Sequence, residues 1–139
     1  MTSKQTYVDA YTIAGSRVDI DLPNRTNEIR AALPGRRRRS ETIYKAGGLT
    51  LVLITMEAGD TIPAHSASGP STIHVLEGRV EVTSGGPATP TSPGQLIAFA
   101  PNVAHDIRAV DSCVVLLTVA AIDEDPRNED VAPPRGPLP

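Results

Sequence analysis

Apolar positions divide the chain into three unequal parts. Between residues 41 and 122 they gather into runs rich in Val, Ile, Leu and Thr: "LTLVLITME", "TIHVLEGRVEVTS", "GQLIAFAP" and "HDIRAVDSCVVLLTVAAI". Each run is bounded by turn-forming residues, "AGD" at 58–60, "SGGP" at 84–87, "SPG" at 92–94 and "PN" at 101–102. Short β-branched runs between tight turns predict strands. No long apolar stripe at helical spacing lies among them, so the expected fold is all-β, a sandwich or a jelly-roll β-barrel.

The flanks differ. Residues 1–40 are mixed and polar and are expected to form an N-terminal arm. Within it Val18, Ile20 and Leu22 alternate with Asp19 and Asp21, the period of a short half-buried strand. "NRTNEIRAAL" then predicts a helix of about two turns capped by Asn24 or Thr26, ended by "LPG". Residues 123–139, "DEDPRNEDVAPPRGPLP", hold five of the 13 prolines and no apolar period. They are expected to be an extended, proline-rich acidic tail with no fold of its own.

Charge and composition remove several function classes. A chain of 139 residues suits one domain. Its 13 basic and 16 acidic side chains leave a net charge of −3, which offers no general attraction to nucleic acid or anionic membrane. Tyr7, Tyr11, Tyr44 and Phe99 are the only aromatic residues, too few for a base-stacking platform. The longest apolar run, 113–122, is too short to span a bilayer. The start, "MTSKQTYVDAY", lacks the apolar segment of a secretory signal. A single cysteine, Cys113, cannot form an internal disulfide, and the expected compartment is the reducing cytoplasm. Inside "SCVVLLTVA" it is expected to be a buried small hydrophobe. The run Arg36 to Arg39 has no interleaved aromatics and is expected to be a solvated loop rather than a phosphate site. A more specific role would be for one of these arginines to pair with an acidic group on a neighbouring subunit.

The stretches "GDTIPAHSASGPSTIHVLEGRVEV" and "PGQLIAFAPNVAHDIRA" resemble the two signature motifs of the cupin superfamily. Gly59, Pro63, His65 and Gly78 stand for the first motif, and Gly94, Pro101 and His105 for the second. The resemblance spans about residues 41 to 122 and implies the cupin double-stranded β-helix, a jelly-roll barrel. It also implies a divalent transition metal (zinc, iron, nickel, manganese or copper) held by two histidines, a glutamate and a third histidine. Here the second histidine of the family pattern falls on Ala67, the glutamate on Ser71 and a following asparagine on Ala109. The shell is depleted.

Strand alternation decides what could replace the lost ligands. If Ser71 points inward, Ile73 and Val75 share its face and His74 points away. Only a bulge at "SGPS" would bring His74 to His65 and His105 and complete a three-histidine metal set. The expected pocket is lined by Ala67, Ser71, Ile73 and Ile107 around the two histidines, with Met56 or Thr55 from the preceding strand. Asp106, next to His105, should face away.

Three readings follow. In the first, the chain is a small single-domain cupin that binds a small molecule or a metal ion in the barrel pocket, with or without a cofactor. In the second it is a metal-dependent, dioxygenase-like enzyme using His65, His74 and His105. In the third it is a metal-free isomerase or epimerase using His65 and His105 as acid and base. The sugar epimerases of this fold pair histidine with aspartate and tyrosine, and this chain has no tyrosine after Tyr44. The expected partners are a small-molecule ligand and a second copy in a homodimer, because a single jelly-roll leaves edge strands to be covered.

Overall fold

A computed structural model describes residues 17–32 and 38–121. One helix, α1 (Leu22–Ala32), precedes nine strands: β1 (Arg38–Ala46), β2 (Leu49–Met56), β3 (Thr61–His65), β4 (Ser71–Glu77), β5 (Val80–Thr83), β6 (Thr89–Thr91), β7 (Leu96–Phe99), β8 (His105–Ala109) and β9 (Cys113–Ala120). The strands form a five-stranded sheet, β1-β2-β9-β4-β7, and a four-stranded sheet, β3-β8-β5-β6. All pairings are antiparallel. The sheets face each other as a jelly-roll whose two layers are not hydrogen-bonded into a closed barrel.

Period-two alternation builds the interior. Ile54, Met56, Ile73, Val75, Phe99, Cys113 and Val115 face inward from the larger sheet, and Val80, Val82, Ile107 and Ala109 meet them from the smaller one. Burying each large side chain contributes about 1.5–3 kcal/mol. Cys113 is buried as expected, and burial pushes its thiol up to about 11.

A second apolar cluster lies on the outer face of the larger sheet. Ile29 of α1 packs there against Ile43, Leu53 and Val114, flanked by Ile20 and Leu22. The alternation of Val18, Ile20 and Leu22 is therefore real in burial, but residues 17–21 pair with no strand. Asp21 is the reason. Its carboxylate accepts the amide of Asn24 at 3.0 Å, capping a helix that starts at Leu22. The cap is thus Asp21 rather than Asn24 or Thr26. Arg25, in turn, reaches Glu41 of β1 at 3.1 Å and ties the helix to the sheet.

Of the arginine run, Arg38 and Arg39 belong to β1 instead of a loop, and Arg38 donates to the carbonyl of Thr61 at 3.0 Å. Arg36 and Arg37 lie outside the described residues, as does the tail 123–139. No helix among the described residues is long and apolar enough to cross a membrane.

Candidate functional site

His65 ends β3 and His105 begins β8, and the antiparallel register makes them direct partners. Their rings meet edge to face, with centroids 4.7 Å apart and planes at 64°. On its other side His105 stacks on Phe99, at 4.1 Å and 13°. His105 is 4% exposed, whereas His65 is open to solvent.

Both imidazoles are anchored by the same local device. Nδ1 of His65 lies 3.0 Å from the carbonyl oxygen of Pro63, and Nδ1 of His105 lies 3.1 Å from that of Val103. A carbonyl can only accept, so each Nδ1 carries the proton. In the neutral rings Nε2 is then an acceptor, and it has no hydrogen-bond partner among the described residues. Burial holds His105 below the usual histidine range, opposed by the Val103 carbonyl, with His65 lowering it further and Asp106 raising it. The ring is kept neutral.

The larger sheet supplies the facing wall. Lys45, Thr50, Val119, Ser71 and Phe99 are successive cross-strand partners, forming one row across all five strands. Partners in a row share a face, and Phe99 and Ser71 fix that face as the inner one. Ser71 is 9% exposed, and its hydroxyl has no hydrogen-bond partner among the described residues. The loop carrying Ala67 is tied down by Asn102, whose amide donates to the Ala67 carbonyl at 2.7 Å. Asn102 itself has φ 66, a left-handed turn just before the strand of His105.

His74 is not brought to this site. Ser71, Ile73 and Val75 face inward along β4, and His74 lies on the opposite face beside Leu96 and Leu116. The irregularity of β4 falls between Val75 and Glu77, after His74, so nothing reverses its parity. Of the three histidines, the structure brings His65 and His105 together and leaves His74 on the other face. Of the residues expected to line a pocket, Ser71 is buried at the start of β4, Ile73 and Ile107 lie in the core, and Ala67 is half-buried in its loop. Met56 faces inward but at the opposite end of β2, and Thr55 faces outward with Val114. Asp106 points away from the histidines, level with Thr83.

The sequence reading missed Thr50 and Lys45. Two-residue steps back from Ile54 and Val52 would have placed Thr50 inward. Lys45 was hidden by a register shift between Thr42 and Tyr44 that reverses the parity of the last turn of β1.

A resident metal does not fit these residues. Two imidazoles supply two donors where a held transition ion takes about three from the protein. No group of three or more His, Cys, Asp or Glu among the described residues could hold an ion. Ser71 and Ala67 occupy places where a carboxylate or imidazole would be needed.

The cupin domain model matches residues 52–119. A conserved protein of unknown function from Streptococcus pyogenes has a similar structure, at 24% identity and TM-score 0.63, covering 81% of this chain and 93% of that one. An RmlC-like cupin from Desulfovibrio desulfuricans is similar at 26% identity and TM-score 0.57, covering 78% and 91%. The Cnp3 cupin domain of Schizosaccharomyces pombe is similar at 14% identity and TM-score 0.63, covering 83% and 80%. No curated protein matches the chain.

Proposed function

Because this chain belongs to the cupin superfamily, we propose that it binds a small organic molecule at the open end of the jelly-roll, between the His65–His105 pair and Ser71, without a resident metal. The observation that carries this reading is the pair itself: two neighbouring rings, both with Nδ1 fixed on a carbonyl and both with Nε2 unclaimed among the described residues. Nitrogen acceptors at the mouth of an apolar interior are what a ligand with hydrogen-bond donors requires. A transition ion meeting this pair would have to take its other ligands from the small molecule and would exchange readily.

The homodimer expected from the edge strands belongs to the same proposal. β1 is a nine-residue edge of the larger sheet, long enough to seek a cover. A scattering mass of twice 14.6 kDa is expected, and a monomer mass rejects the dimer.

The test uses tag-free protein, metal analysis, and a thermal-shift panel of sugars, hydroxy acids, amino acids and aromatic acids. The expected result is less than stoichiometric metal and at least one compound whose stabilising effect disappears in His105→Ala. A stoichiometric ion that survives dialysis and is lost in His65→Ala overturns the metal-free reading. Ligands that bind His105→Ala as well as the wild type overturn the site.

A further inference from the structure

The terminal row of the larger sheet carries one charge. Lys45 stands at its β1 end, exposed, and has no acidic partner among the described residues. Thr50 is next to it, and Ser71 lies two strands further on. Across the sandwich stand the two imidazoles. The end of the molecule is thus graded, cationic at one side, hydroxylic in the middle, and a hydrogen-bond acceptor at the histidines.

Each part excludes a ligand class. Two Nε2 lone pairs repel a carboxylate but accept hydroxyl protons. An ammonium group could also donate to them, but among the described residues no carboxylate faces them to compensate its desolvation. A carboxylate belongs at Lys45, whose flexible stem ends in a point charge. At about 4.8 Å per strand, Lys45 and Ser71 are about 14 Å apart at Cα. An extended lysine covers about 6 Å of that, leaving the span of a short polyhydroxylated chain.

We propose that the site takes a small polyhydroxy carboxylate, its carboxylate at Lys45 and its hydroxyls donating to His65 and His105, with Ser71 bonding a further hydroxyl. This rests on the site reading above and names its ligand class.

The probes are gluconate, glucose, hexanoate and 6-aminohexanoate, titrated into the full chain by amide chemical-shift NMR, which reads millimolar affinities. Gluconate is expected to bind at least tenfold tighter than each of the other three. Lys45→Gln should erase the preference for gluconate over glucose, and Ser71→Ala should weaken gluconate several-fold while the spectrum stays dispersed. Equal binding of gluconate and glucose, both lost in His105→Ala, overturns the acid assignment and leaves the site standing. Failure of all four probes, while another compound of the thermal-shift panel still depends on His105, overturns the ligand class alone. If no compound depends on His105, both readings fall.

Discussion

The two ends of the sandwich are built from the same strands and to opposite purposes. At the closed end, the row Arg38–Met56–Cys113 leads into Val75, Val80 and Ala109, all packed in the principal core. The turn there closes without slack: Gly78 has φ 71, and a side chain on it would collide with the carbonyl of Ser112. At the open end, the same strands present Lys45, Thr50, Ser71, His65 and His105. A buried polar atom without a hydrogen bond costs stability, and among the described residues the Ser71 hydroxyl and the His105 Nε2 are such atoms at this end. Their concentration at one end teaches that the stability of this fold resides at the other.

Met56→Ala tests that division most strongly. It truncates a side chain that is 2% exposed at the closed end and should cost about 2–5 kcal/mol in chemical denaturation. About 20 Å of β2 separates it from Thr50, so ligand affinity in the folded fraction should not change. A parallel loss of affinity would break the comparison.

Gly69→Ala acts on the frame of the open end. The new Cβ would meet the Ala120 carbonyl, a backbone atom that cannot swing aside. The amide of Ala120 also donates to Pro70 at 3.0 Å, so the loop and the end of β9 must shift together. A cost of about 1–3 kcal/mol is expected, together with weakened ligand binding. Unchanged binding would show that the loop carrying Ala67 does not shape the mouth.

How much of this was legible in the sequence follows from the range of each interaction. The strands beginning near Leu49, Thr72 and His105 were readable because burial alternates within a few residues. The same count points His74 outward unless a bulge intervenes, and its place in the three-histidine set depended on such a bulge, whereas the strand stays regular through it. The pairing of His65 with His105 was not in the spacing, since it depends on a register between strands forty residues apart in the chain. β1 was obscured by its arginines, and Lys45 by a bulge whose position no local preference announces. Asp21 caps as well as Asn24 and stands immediately before the first helical residue, but the alternation of Val18 to Leu22 suggests a strand through it.

The smallest expected effect concerns two buried titratable groups, Cys113 at the closed end and His105 at the open one. Burial pushes the Cys113 thiol up and the His105 imidazole down, and both groups are therefore neutral at pH 7. Of the two, His105 is the group whose ordinary value lies within the usual working range. In the unfolded chain its imidazole takes a proton near pH 6.5, its ordinary value, while in the folded chain it resists until lower pH. The unfolded state then binds more protons, so stability is fully present above about pH 6.5 and falls as pH drops through the folded value. Denaturant midpoints measured from pH 8 to pH 5 should decline for the wild type and decline less for His105→Gln, which keeps a polar side chain but cannot titrate. Parallel curves would mean that His105 is protonated as easily folded as unfolded. Its Nε2 would then be a donor on the acid side of neutrality, and the open end would lose the acceptor character that separates it from the closed one.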